Sequence, residues 1–184
     1  MHWSSKTVPL AAGLLLLIGG MVRPGQAEDW AQFRGPNSTG VSTASKNLPV
    51  KFSTTENVVW KVKLGTGVAC PVISGGRAFS TATVGEKGHE KFVISAFDAA
   101  SGKPLWRKEF PTGPLPEITW PNQHASSTPA SDGERVYVHF STLGLLGLDA
   151  SSGKLLWKHK TPMPFYLLGW GAANSPIVYQ DKVI

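Results

Sequence analysis

The stretch Ala96-Phe-Asp-Ala-Ala-Ser-Gly-Lys-Pro-Leu-Trp106 occurs a second time as Gly147-Leu-Asp-Ala-Ser-Ser-Gly-Lys-Leu-Leu-Trp157, 51 residues further along the chain. Self-similarity at a period of about 40 to 50 residues is typical of solenoids, propellers and repeat arrays. In both copies an aspartate precedes a turn, a glycine follows it, and a tryptophan comes next in an apolar segment. The repetition therefore predicts a protein built from equivalent units, each made of strands.

Two kinds of hairpin alternate along this repeat. The first begins with a proline and occurs over residues 71–79, 129–137 and 176–184. In each copy turn-forming residues separate two short segments, which predicts two strands around a tight turn. A second hairpin follows over residues 92–110 and again over 143–160. Each unit thus has four short strands in about 45 to 50 residues, which is the size of one propeller blade.

The repeated residues are expected to have structural roles. Asp98 and Asp149 can accept backbone N–H bonds at the start of a turn, and Gly102 and Gly153 can adopt positive φ there. A large aromatic side chain at one position of every unit is expected to pack between neighbouring sheets, whereas ligand stacking is the alternative. These aromatic residues are Trp60, Trp106 and Trp157, and small residues (Ala96 and Gly147) leave room for an indole.

The pattern Ala/Gly-x-Asp-x-x-Ser-Gly-Lys-x-x-Trp resembles the tryptophan-docking motif of the pyrroloquinoline-quinone-like (PQQ-like) β-propeller repeat superfamily. The opening Asp29-Trp-Ala-Gln-Phe-Arg-Gly-Pro-Asn37 resembles the amino-terminal signature of its exported bacterial members. The repeat type is also similar to that of the scaffold subunit of the outer-membrane β-barrel assembly machinery. The resemblance implies an all-β fold of four-stranded antiparallel blades, with residues 58–184 forming two to three blades of a usual eight. We therefore expect the 184 residues to be a fragment of a longer chain.

The first 27 residues have the pattern of a cleavable signal peptide. Lys6 precedes an uncharged apolar stretch, and Gly25-Gln-Ala27 places small residues at a secretory cleavage site. Sixteen uncharged residues fall short of the roughly 20 needed to cross a bilayer, although an uncleaved anchor is the alternative. We therefore expect cleavage near Ala27 and a mature protein, without a membrane span, in the periplasm or secreted. Residues 28–57 would form an amino-terminal segment before the repeats.

Charge and cysteine content exclude some functions. Without residues 1–27 the chain has 16 basic and 12 acidic side chains, and the basic residues form no run. This distribution argues against a nucleic-acid surface, which would need a clustered basic stripe. Cys70 is the only cysteine, so no internal disulfide can form. It stands before Pro71 where Thr128 and Ser175 stand in the other units, which favours a structural role.

The segments that connect one unit to the next do not repeat, and they contain the candidate binding residues. These are Trp120, Asn122 and His124 in the first connection, and Trp170 and Asn174 in the second. In a propeller such connections cross one face and reach the central channel, where aromatic, amide and imidazole groups suit a binding surface. The plainer interpretation, which the pattern favours, is that the two tryptophans fill space above the channel and that His124 bonds a nearby carbonyl.

The sequence predicts no catalytic residue, cofactor site or metal site, since it lacks a nucleophile elbow, a phosphate loop and zinc-like histidine spacing. We therefore expect a non-catalytic scaffold that binds a protein partner, or another ligand, in the cell envelope. One alternative is a dehydrogenase that holds PQQ with calcium, although such enzymes typically carry a pair of adjacent cysteines that a chain with one cysteine cannot supply. Another is the recognition module of a larger protein.

Overall fold

The computed structural model describes residues 28–46 and 48–184. The expected signal peptide, residues 1–27 with cleavage near Ala27, lies outside the described residues. The described residues form two four-stranded antiparallel sheets and one two-stranded hairpin, with two short 3-10 turns at Pro36–Ser38 and Leu167–Gly169. Within the described ranges no helix is long and apolar enough to cross a membrane.

The strands follow each other in chain order within every sheet. The first sheet consists of β1 (Val72–Ser74), β2 (Arg77–Val84), β3 (Lys91–Asp98) and β4 (Pro104–Pro111). The second consists of β5 (Ala130–Ser131), β6 (Arg135–Phe140), β7 (Gly144–Asp149) and β8 (Leu155–His159). The hairpin is formed by β9 (Val178–Tyr179) and β10 (Lys182–Val183). The predicted all-β class with four-stranded antiparallel propeller blades is confirmed.

The turns form where their sequences predict. Gly75 and Gly76 join β1 to β2 with φ of 56° and 74°, and Ser74 pairs directly with Arg77. Two consecutive residues with positive φ are the geometry of the two-residue hairpin turns that match strand twist, and glycine adopts it without strain.

One core joins the two four-stranded sheets. Six consecutive residues of β3, from Phe92 to Phe97, are buried, because this strand lies in the middle of its blade. Phe92 stacks on Phe140 of the second sheet with ring centroids 4.0 Å apart and planes 8° apart. Both rings are buried, so the two blades share an aromatic contact as well as aliphatic packing.

Two of the repeated tryptophans, Trp60 and Trp106, each connect one unit to the next. Trp60 Nε1 donates a hydrogen bond of 2.9 Å to the Ala99 carbonyl in the β3–β4 turn. Trp106 Nε1 donates a bond of 3.0 Å to the Ala150 carbonyl in the β7–β8 turn, one unit later. A half-buried indole gains both apolar contact and a partner for its N–H in this way. The third tryptophan, Trp157, is 38% exposed and lies against Tyr137 of its own sheet.

A glycine in each of these turns lies directly under the indole. A Cβ atom added to Gly102 would be 2.6 Å from Trp60, and one added to Gly153 would be 2.6 Å from Trp106. The two glycines also have φ of 71° and 68°. From the sequence, glycine is expected at these two positions because the turn needs a positive φ. The structure adds that a side chain there would collide with the indole. Gly147 is similarly covered by the Trp157 ring of its own sheet.

The amino-terminal segment bonds to three successive units. Three consecutive residues, 30–32, each contact a different unit, and the first of them forms a β-bridge. The bonds join Trp30 to Ile73 (2.8 and 3.0 Å), the Ala31 carbonyl to the Ser131 N–H (2.8 Å) and Gln32 Oε1 to the Val178 N–H (3.2 Å). The segment therefore holds β1, β5 and β9 together at the inner edges of their sheets.

The residues before the three prolines form a chain of hydrogen bonds between units. The Cys70 N–H donates to Thr128 Oγ1 at 3.1 Å, and the Thr128 N–H donates to Ser175 Oγ at 2.9 Å. At this position the hydroxyls of Thr128 and Ser175 each accept a bond from the preceding unit. This agrees with the structural role that the repeat alignment predicts for these residues.

Acid should weaken the β7–β8 turn. Asp149 Oδ1 accepts bonds from the N–H and hydroxyl groups of Ser151 and Ser152, at 2.6 to 3.1 Å. The Ser151 and Ser152 hydroxyls lead the effects that lower the pKa of Asp149 from 3.8 to about 2. Because the folded state has the lower pKa, this contribution is complete above 3.8 and is lost as the pH falls through about 2.

The measurement is the denaturant midpoint of the intact protein as the pH falls from 3.8 towards 2, for the parent and for Asp149→Asn. We expect the parent midpoint to fall more steeply, because the variant lacks the titrating carboxylate. Equal slopes for the two proteins would contradict the role given to Asp149.

Candidate binding face and cleft

The two connections between units lie side by side and are hydrogen-bonded to each other. The first connection, residues 112–129, joins β4 to β5, and the second, residues 160–177, joins β8 to β9. The Thr119 N–H donates to the Gly169 carbonyl at 2.7 Å, and the Thr119 hydroxyl donates to the Leu168 carbonyl at 3.0 Å. These two hydrogen bonds hold the first and second connections against each other.

Large apolar side chains project from both connections. Trp120 is 85% exposed and Phe165 is 89% exposed, although both are rich in apolar surface. We define the connection face as five exposed apolar residues of the two connections: Trp120, Phe165, Leu167, Leu168 and Trp170; a sixth, Met163, is less exposed at 46%. Single exposed apolar residues are common, whereas several on neighbouring loops are typical of interaction sites.

Beside Trp120 the first connection forms one wall of a cleft. The opposite wall is made by residues 63–66 together with the end of β2 and the residue that precedes β3. Thr66 and Thr83 form a β-bridge with bonds of 2.9 and 2.7 Å, which positions residues 63–66 beside β2. We call this site the connection cleft, and its volume is about 770 Å³. Its polar lining residues are Lys63, Thr66, Thr83, Glu90, Asn122, Gln123 and His124. This volume is in the range of small-molecule sites.

Two polar atoms of the cleft lining are buried without a partner among the described residues. They are Nδ1 of His124 and Oγ1 of Thr83. Burial lowers the pKa of His124, while Glu90 opposes this effect through its charge. The imidazole is therefore neutral near pH 7, with one ring nitrogen able to donate and the other able to accept.

The structure brings some of the predicted binding residues together and separates others. Trp120, Asn122 and His124 all line the connection cleft. Trp170 lies on the connection face and is 58% exposed, outside the residues that line the cleft. Asn174 lines a different, smaller cavity with His139 and Pro176. The indole of Trp120 is 85% exposed among the described residues.

Lys63, Thr66 and Glu90 are among the lining residues that the sequence did not predict. Lys63 and Thr66 come from the segment before β1, and Glu90 directly precedes β3. Glu90 Oε2 accepts the Gly88 N–H at 2.7 Å within its own turn. Nothing in the sequence signals that these residues meet the first connection, because the Thr66–Thr83 bridge and the bond from the Thr112 N–H to the Glu90 carbonyl are tertiary contacts.

Metal coordination finds no support within residues 28–46 and 48–184. No group of three or more His, Cys, Asp or Glu side chains there could hold a metal ion.

Comparison with known proteins places the chain among PQQ-like repeat proteins. A family model described as outer membrane protein assembly factor BamB matches residues 32–183. Quinohemoprotein alcohol dehydrogenase ADH IIB of Pseudomonas putida is 33% identical over 97 residues, which are 50% of this chain and 13% of that protein.

Solved structures with similar folds include enzymes and an assembly factor. The quinohemoprotein alcohol dehydrogenase of Comamonas testosteroni has a TM-score of 0.41 and 21% identity, over 63% of this chain and 16% of that one. BamB from Moraxella catarrhalis has a TM-score of 0.35 and 13% identity, over 65% of this chain and 45% of that one. The chain thus spans less than half the length of each of these relatives.

Proposed function

The chain belongs to the family of the outer membrane protein assembly factor BamB, and on that premise we propose that it is an exported, non-catalytic scaffold. In this proposal it binds a protein partner in the cell envelope through the connection face. The signal-peptide pattern of residues 1–27 supports export. The name of the family supports a partner that is a protein in the envelope.

The observation that carries the proposal is the connection face itself. Thr119 ties the two connections together through two hydrogen bonds, and both connections carry exposed apolar side chains. Tryptophan and other aromatic residues contribute a large share of the binding energy at protein interfaces, because they bury much area at small entropic cost. A surface whose backbone is already bonded also loses little freedom on binding.

The proposal can be tested by site-specific photocrosslinking of the intact protein in its own envelope. A photoreactive residue replaces Phe165 in one version and Phe52 in the other, since both side chains are well exposed at 89% and 69%. We expect one discrete crosslinked protein from position 165 and none from position 52. Identical products from the two positions, or an intact protein that is not exported, would refute the proposal.

A binding measurement with the purified, crosslinked partner gives the energetic test. Phe165→Ala and Trp170→Ala should each weaken binding by roughly tenfold, which corresponds to about 1.4 kcal/mol. Phe52→Ala, the matched control, should leave the dissociation constant unchanged. Unchanged binding in both of the first two variants would show that the partner uses another surface.

A further inference from the structure

The connection cleft differs in chemistry from the connection face beside it. Its polar lining combines two amides, Asn122 and Gln123, with a neutral imidazole and the threonine hydroxyls. It holds one amine, Lys63, and one carboxylate, Glu90, so these two charges of the lining cancel. Such a site has many neutral hydrogen-bonding groups but no excess of either charge.

The exposed indole of Trp120 adds a flat apolar surface to this polar site. It lines the cleft while 85% of its surface is accessible, so a ligand can lie against the ring without displacing protein. Aromatic rings gain from contact with flat apolar groups, and C–H groups are drawn to the negative face of the ring. A ligand that suits the cleft therefore has an apolar C–H face and neutral polar groups around its edge.

The two unpartnered atoms point to the same kind of ligand. Thr83 Oγ1 and His124 Nδ1 belong to residues that line the cleft, and the protein supplies neither atom with a hydrogen bond among the described residues. A ligand hydroxyl group can both donate and accept a hydrogen bond, and so can a water molecule held between the ligand and the protein. Either group therefore suits the unpartnered threonine hydroxyl and imidazole nitrogen. A phosphate or other anion would need several cations, and Lys63 is the single basic side chain of the cleft besides the neutral imidazole.

We propose that the connection cleft binds a neutral carbohydrate, with a sugar ring against the Trp120 indole and sugar hydroxyls bonded to the amides and to the buried polar groups. A cleft of about 770 Å³ accommodates one to a few sugar rings. The inference goes beyond the scaffold function, because it concerns a small-molecule site that does not require the protein partner.

The test is calorimetric titration of the intact protein with the trisaccharides of glucose (α- and β-linked) and of N-acetylglucosamine, and with inositol hexakisphosphate as the anionic probe. We expect saturable binding of at least one trisaccharide and none of the phosphate. Trp120→Ala should weaken that binding roughly tenfold, through loss of the stacking surface. Trp170→Ala, on the connection face but outside the cleft, should leave it unchanged, although it weakens binding of the protein partner.

A matched pair of threonines tests the buried groups. Thr81 and Thr83 both lie in β2 with hydroxyls that are buried and unpartnered among the described residues, but only Thr83 lines the cleft. Because valine is nearly isosteric, Thr83→Val and Thr81→Val should both keep the melting temperature or raise it. Thr83→Val should weaken trisaccharide binding several-fold, whereas Thr81→Val should not. Failure of all trisaccharides to bind, preferential binding of the phosphate, or equal effects of the two substitutions would overturn the proposal.

Discussion

Replacing Phe92 by alanine should cost about 4 kcal/mol of the free energy of unfolding. Phe92 is fully buried and stacks on Phe140 of the neighbouring blade at 4.0 Å. The substitution leaves a cavity between two sheets whose backbones are fixed by their own hydrogen bonds, so the gap cannot close by a small shift. The measurement is denaturant-induced unfolding of the intact protein.

Two comparisons make this prediction specific to the contact between blades. Phe165→Ala removes the same atoms from a side chain that is 89% exposed, and should change stability by less than about 0.5 kcal/mol. A double-mutant cycle with Phe140→Ala should give a coupling energy of about 1 kcal/mol, because either single substitution already breaks the stack. A loss at Phe92 no larger than that at Phe165, or additive effects of Phe92 and Phe140, would contradict the shared core.

Gly153→Ala should cost about 3 kcal/mol, which is the second large effect that we expect. At φ of 68° a Cβ atom is strained, at roughly 1 kcal/mol. The same atom would be 2.6 Å from the Trp106 ring, so the indole must move and lose both its packing and its bond to the Ala150 carbonyl. These losses contribute about 2 kcal/mol more.

Gly76→Ala separates the steric cost from the backbone cost. Gly76 has a closely similar φ of 74°, but an added Cβ atom would meet nothing within 4 Å. This variant should therefore lose only the backbone contribution of roughly 1 kcal/mol. Unfolding curves of the two variants give the comparison directly. If Gly153→Ala and Gly76→Ala lost the same free energy of unfolding, the contact between Trp106 and Gly153 would not contribute to stability.

The repeat alone was enough to predict the blades, because strand and turn preferences are local. Period, turn residues and apolar segments recur together, and each depends on residues close in the chain. The alignment of Cys70 with Thr128 and Ser175 identified equivalent positions of three successive units. These positions are linked because the N–H of one unit donates a hydrogen bond to the hydroxyl of the next. Only the packed structure shows these bonds.

The repeat does not predict the contacts of residues in the two connections. Trp120, Asn122 and His124 were identified because they break the repeat, and the structure collects them at one cleft. Asn174 was identified on the same grounds and lies in another cavity. Non-repeating residues have no second copy with which to compare them, so their neighbours cannot be inferred from spacing.

The amino-acid sequence by itself determined the strand order, the turns and the positions of Trp60 and Trp106 between units, because these follow from contacts at short or regularly repeated separations. Only the tertiary structure decided that Thr119 ties the two connections into one face and that Lys63, Thr66 and Glu90 complete the cleft. Those contacts join segments tens of residues apart, and they form because adjacent blades pack and bring non-repeating loops together at one end.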